Sequence, residues 1–229
     1  MLEANRCYNV SKSEENIAIS QITLRFQYGL EPSEHISVPL NHSTSILNDT
    51  HFDTSSCMVV YVPGWTQKLN GKASIHGYQA FVRNCSCNFV MVDWTSVTSK
   101  EYSTSVGMTP NAGKAIARSL DAMIIAGVTL CYLSGISLGG QCIGHIARNM
   151  KNRVSHMIAF DPAGPLFYEP VRCVSSISAR DADCVEIIHT DRGRLGATNR
   201  TGTVDYWVNG GFGTQPGCEF FAPESNGQR

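Results

Sequence analysis

Thr129-Leu130-Cys131-Tyr132-Leu133-Ser134-Gly135-Ile136-Ser137-Leu138-Gly139-Gly140-Gln141 is the stretch on which the reading of this chain turns. A short apolar, β-leaning run meets Gly-x-Ser-x-Gly, and a helix-like segment over 141–149 follows at once. A serine on a sharp turn between a strand and a helix is the sequence form of a nucleophile elbow. Such a turn is strained, so the side chains two before and two after the serine must be minimal. Gly135 and Gly139 meet that need, and Gly140 loosens the turn further. The motif alone is common in glycine-serine loops. The strand before it and the helix after it favour Ser137 as a nucleophile over a turn serine.

Working outward, 57–62 and 88–94 are continuous apolar runs, which suit strands covered on both faces. Residues 154–160 and 184–190 are two further apolar strands, and 129–134 is the strand of the elbow. Ile22, Leu24, Phe26 and Tyr28 alternate with polar residues over 21–28, as in a half-buried strand. Residues 36–40 could form another, stopped by Pro39. Helical spacing appears over 73–84 and 111–126, with Ile116, Leu120, Met123 and Ile124 in register. Residues 41–56 read as a loop, and so does the polar stretch from Trp94 through Pro110. Strands alternating with helices argue an α/β fold, a mostly parallel sheet with helices on both faces. No repeat or linker divides the chain, so one domain over 1–229 is expected.

With 229 residues, 42% of them hydrophobic and 16% charged, the chain can bury a full core. A formal net charge of −1 and a pI near 6.6 give no electrostatic reason to expect nucleic acid. No apolar run approaches the roughly 20 residues of a membrane-spanning helix. Residues 1–20 lack an apolar core and carry Glu3, Glu14 and Glu15, so no signal peptide is visible. Nine cysteines nevertheless favour an oxidising compartment, hence secretion and disulfides, and the odd count leaves at least one unpaired. Asn9, Asn41, Asn48, Asn84 and Asn199 open N-glycosylation sequons, as in a glycoprotein.

In such a sheet, functional groups gather beyond the carboxyl ends of the strands. Asp161 follows the strand ending Ile158-Ala159-Phe160, and an acid there fits the Ser…Asp…His order of a triad. As a bare residue before Pro162 it could equally open an Asx turn. Acyl transfer develops an oxyanion, which two backbone N–H groups can stabilise. One donor would be Leu138, just after the serine. The other would lie in the Val62-Pro63-Gly64-Trp65-Thr66 turn, at Trp65. A plain reverse turn is the alternative.

These residues reach a family. The chain resembles the pancreatic lipase family of α/β-hydrolases, and most of all its short-lid phospholipases A1 and insect lipase-like members. The likeness runs from about residue 20 to 221 and rests on six motifs in order. They are Pro63-Gly64-Trp65-Thr66, Val92-Asp93-Trp94, Gly135-Ile136-Ser137-Leu138-Gly139-Gly140, Asp161-Pro162-Ala163-Gly164-Pro165, 185–191 (VEIIHTD), and 202–211 with 215–218 (GTVDYWVNGG, QPGC). The resemblance implies Ser137 as nucleophile, Asp161 as the triad acid, and Trp65 and Leu138 as the oxyanion hole. It implies a lipid ester or phospholipid substrate met at a lipid–water interface, and names no protein partner. No cofactor and no metal is expected. Cys173 and Cys184 resemble the two cysteines of a small family loop, with the second displaced.

The chain departs from the family's pattern in three places. Pro63 and Ile136 stand where the family usually has histidines, and both changes leave the backbone donors in place. At the carboxyl end, Phe220-Phe221 matches a short-lid relative. Gly227 then falls at the position of the general base, and Ser225 at that of the partner of Cys218. His189 is the best-placed substitute base, although the family has a histidine there beside the catalytic one, in a structural role. Three readings follow: an acyl-enzyme lipid esterase, an inactive lipase-like module that binds lipid or protein, or a piece of a longer active lipase. Phosphonate labelling of Ser137 separates the first two, and transcript sequence beyond Arg229 tests the third.

Overall fold

The computed structural model describes residues 7, 10–213 and 215–217. The expectations for Cys218, Phe220-Phe221, Ser225 and Gly227 lie outside these. Eight strands form one sheet: β1 (Thr23–Gln27), β2 (His35–Pro39), β3 (Met58–Val62), β4 (Asn88–Asp93), β5 (Leu130–Ile136), β6 (Val154–Phe160), β7 (Ala182–His189) and β8 (Val204–Trp207). The α-helices are α1 (Lys12–Ser20), α2 (Lys72–Asn84), α3 (Thr95–Thr98), α4 (Tyr102–Ile125) and α5 (Leu138–Asn149), with 3-10 turns at Leu40–Asn48 and Val208–Gly211.

The strand order is β2-β1-β4-β3-β5-β6-β7-β8. β1 runs antiparallel to β2 and β4, and every other pair is parallel. This is the mostly parallel, helix-covered sheet of the α/β-hydrolase fold. β3 and β4 read as unbroken apolar runs because both faces are covered. Met58, Val60, Val62, Val90 and Val92 enter the main core, while Val59, Tyr61, Phe89 and Met91 pack on the other face with Tyr78 of α2.

α4 corrects one reading. The expected polar loop from Trp94 through Pro110 holds α3 and the start of the 24-residue α4, with Pro110 inside that helix. Its Ser, Thr and Gly residues form helices poorly, and an internal proline removes a hydrogen bond. Burial decides the matter: Ser105, Val106, Gly107, Met108 and Thr109 are all buried. The hydroxyls bond back to the helix, Thr109 Oγ1 donating to Ser105 O at 2.9 Å.

α1 begins with a signal that was legible and unread. Ser11 accepts from the Glu14 amide at 3.2 Å, and Glu14 accepts from the Ser11 amide at 3.2 Å, a full capping box. No helix of the described residues is long and apolar enough to cross a membrane.

Disulfides join Cys7 to Cys173, Cys57 to Cys131 and Cys85 to Cys87. Cys173 therefore does not pair with Cys184, which is free, as is the buried Cys142. Cys184 lies inside β7, facing His156 of β6 in register, rather than on a loop. The Cys57–Cys131 link closes 74 residues between the amino ends of β3 and β5, opposite the end that carries Ser137.

Candidate active site

The turn between β5 and α5 is tight enough to force its own geometry. Ser137 has φ 53° and ψ −119°, a conformation that L-residues avoid and that costs about 1–3 kcal/mol unless its surroundings impose it. Three backbone bonds impose it. The Ser137 amide donates to Phe160 O at 2.9 Å, and its carbonyl accepts from Ala163 at 3.0 Å and from Gln141 at 3.3 Å. A methyl on Gly135 would lie 2.5 Å from Gly139 O, and one on Gly139 would strike the carbonyls of Val62 and Pro63. No side chain fits at either place, which is the physical content of the motif.

The sheet brings the other named residues alongside. Ile136 pairs with Phe160, so Ser137 and Asp161 are the next residues on adjacent parallel strands. Asp161 also takes a positive φ, of 43°. Its amide donates to Ile188 O at 2.7 Å, and its Oδ1 accepts from the amides of Thr190 at 3.0 Å and Asp191 at 3.1 Å. Those two bonds orient the carboxylate, while Oδ2 takes no hydrogen bond from a described residue.

On the other side, Val62 pairs with Gly135, so Trp65 and Leu138 each lie three residues beyond a matched pair. A methyl on Gly64 would sit 3.1 Å from Ser137 Cβ, which places this turn directly over the serine. The Leu138 amide opens α5 and has no acceptor within the helix. Neither it nor the Trp65 amide donates to a described residue. The Trp65 ring is partly exposed and fixed. Its Nε1 donates to Lys100 O at 2.9 Å, and it meets Tyr102 edge-on at 5.4 Å.

His189 ends β7 and is fully buried. Its Nδ1 faces Ala197 O at 3.2 Å, and its Nε2 faces Asp205 Oδ1 at 2.8 Å. The ring stacks on Trp207 at 3.7 Å with a 5° tilt. A carbonyl and a carboxylate occupy its two nitrogens, so neither is turned to a serine hydroxyl. Among the described residues, no histidine hydrogen-bonds to Ser137 or Asp161. His145 of the elbow helix is held neutral instead. Burial, and then the nearby Arg148 cation, lower its pKa from 6.5 to about 4.

The Lipase family model matches residues 4–226. This chain belongs to the lipase family. It is 32% identical to lipoprotein lipase of Sus scrofa over 185 residues, which is 76% of this chain and 38% of that protein. It is 32% identical to phospholipase A1 member A of Mus musculus over 169 residues, 67% of this chain and 37% of that one. The chain thus spans about two fifths of the length of these relatives. Among solved structures, a putative carboxylesterase from Lactobacillus plantarum WCFS1 overlaps 81% of this chain and 87% of its own. Its 12% identity and TM-score of 0.44 leave that likeness without weight.

Three residues that hold this turn and its helix were given no role by the sequence. Trp94 is buried and its Nε1 donates to Pro63 O at 3.0 Å, pinning the turn over Ser137. Gln67 accepts from the Gly64 amide at 2.8 Å and donates to Ser74 Oγ at 3.1 Å, holding the same turn from the other side. Gln141 is buried in α5, where its amide bridges Ala163 O and the Ile177 N–H at 2.7 and 2.8 Å. The Val92-Asp93-Trp94 motif and a glutamine one turn past the serine were visible in the chain, but their partners are distant in sequence.

Proposed function

We propose that this chain is a lipid-ester hydrolase domain of the phospholipase A1 or triacylglycerol lipase type, acting through Ser137. The observation that carries this is the strained Ser137 turn, set beside an oriented Asp161 on the next strand. In this reading Ser137 Oγ attacks the ester carbonyl carbon and its proton passes to a base. The Trp65 and Leu138 amides hold the oxyanion. The ester C–O bond breaks, the alcohol leaves with the proton, and water then hydrolyses the acyl-enzyme. Asp161 Oδ2 is the acceptor that would orient an imidazole, and that imidazole is not His189. The printed names of the relatives, a lipoprotein lipase and a phospholipase A1, support a lipid ester as substrate. Secretion and glycosylation belong to the same reading, supported by the disulfides and by exposed Asn41, Asn48, Asn84 and Asn199.

A second reading is an inactive lipase-fold module that binds lipid or protein. It is favoured by the commitment of both His189 nitrogens to other partners. In well-studied serine proteases, loss of one triad member costs on the order of 10⁴–10⁶ in turnover. Intact mass spectrometry of protein secreted from eukaryotic cells, before and after a fluorophosphonate probe, decides between the two. One phosphonyl adduct, absent in Ser137→Ala, supports the enzyme. No adduct, with an active relative labelled in parallel, counts against the enzyme and favours the binding module. Unmodified mass on the secreted chain would remove glycosylation.

A further inference from the structure

The loop leaving β7 holds a cation that the chemistry above does not use. Arg192 lies at the end of the sheet that carries Ser137 and Asp161. Its guanidinium carbon is 4.8 Å from the centroid of the Trp207 ring and 4.1 Å from that of Phe212. Trp207 rests in turn on His189, and the Arg192 amide donates to Gly211 O at 2.7 Å. Backbone and guanidinium are therefore both held in place.

The charge itself is unanswered. Arg192 Nε is buried without a hydrogen-bond partner, and no described carboxylate forms an ion pair with it. Two of the acids nearby are engaged elsewhere, and the third, Asp191, has a buried Oδ1 without a hydrogen bond. Asp205 accepts from His189, Thr201 and Gly202, and Asp161 accepts from two backbone amides. The ion pair that Asp191 forms is with Arg194, at 3.9 Å. A buried donor left unmade is costly, and a fixed planar guanidinium suits the paired oxygens of a phosphate.

We propose that Arg192 binds the phosphate of a glycerophospholipid whose ester lies at Ser137. The inference rests on the lipid-ester reading above and narrows its substrate. β7 lies two strands from β5, about 10 Å at the usual strand spacing, and the guanidinium is held over Trp207 of β8. Glycerol separates an ester from the phosphate by only a few bonds, so one molecule can touch both. Phe212 and Leu195, in the same region, are 60% and 63% exposed. Apolar side chains beside a cation fit a headgroup lying at a lipid surface.

The test measures binding to the Ser137→Ala chain, so its outcome does not depend on turnover. A short-chain diacylglycerophosphocholine, kept monomeric, and the matching diacylglycerol are titrated calorimetrically. The phospholipid is expected to bind about tenfold more tightly, as one good charge-assisted contact allows. Arg192→Met should erase that difference and leave diacylglycerol binding unchanged, and Arg192→Lys should keep part of it. If Arg192→Met does not fold, Arg192→Lys carries the comparison alone. Equal binding of the two lipids, or a preference that survives Arg192→Met or is undiminished in Arg192→Lys, overturns the proposal. Inorganic phosphate binding as tightly as the phospholipid would overturn the lipid assignment as well.

Discussion

The turn at Ser137 and the stack at His189 lie at the same end of the sheet, two strands apart, and are held in different ways. At Ser137 backbone meets backbone. Three hydrogen bonds and two glycines fix one unusual φ/ψ pair; the glycines lie within the motif, while the bonds reach Gln141, Phe160 and Ala163. At His189 side chains meet side chains, in a column of Arg192, Trp207 and His189 that Asp205 closes. A backbone device leaves a short, local mark on the sequence. The side-chain column draws on His189, Asp205 and Trp207 from two separate motifs, and which of them touch is settled only when the fold assembles it.

The sharpest way to break this comparison is His189→Ala. The substitution removes a fully buried ring stacked on Trp207 and one of the three donors to Asp205, so a loss of about 3–5 kcal/mol in urea unfolding is expected. The folded fraction should still label at Ser137. Labelling lost with stability unchanged would instead make His189 the base.

Gly139→Ala attacks the other region. Its methyl meets two carbonyls that cannot rotate away, so about 3 kcal/mol should be lost. Phosphonate labelling of Ser137 should fall with it, because the turn itself must move. Full labelling would show that the elbow tolerates displacement.

The smallest effect concerns pH. His145 is nearly fully buried in the elbow helix with a folded pKa of about 4, below its ordinary 6.5. Protons therefore bind the unfolded chain first. Its contribution is complete above pH 6.5, declines as pH falls towards 4, and is on the order of 3 kcal/mol in all. His145→Gln should flatten stability between those limits. An unchanged slope would place the acid sensitivity in other groups.

How much could be read from the chain alone follows the same division. The apolar runs of β3 to β7, the helical stripe of α4 beyond Asn111 and the elbow are local periodicities, and each appears close to where it was expected. The first half of α4 was hidden because Pro110 and its Ser, Thr and Gly neighbours argue against a helix, and only burial overrules them. Trp94, Gln67 and Gln141 were hidden for another reason. Trp94 and Gln141 act on carbonyls 31 and 22 positions away, whose place depends on strands meeting in register, and Gln67 acts within its own turn and on Ser74 of α2. The Cys7–Cys173 link spans 166 residues, and no local rule distinguishes it from the Cys173–Cys184 pairing that the resemblance suggested.

By itself the sequence determined the α/β class, the elbow at Ser137 and the lipase-family membership, because each rests on short-range sterics or on motifs in linear order. The tertiary structure alone decided that His189 turns both nitrogens away from Ser137, and that Arg192 stands buried at Nε between two rings without a counter-charge. Hydrogen-bond partners and charge neighbours are set by distance in space. The chain reveals that distance only once its strands are side by side.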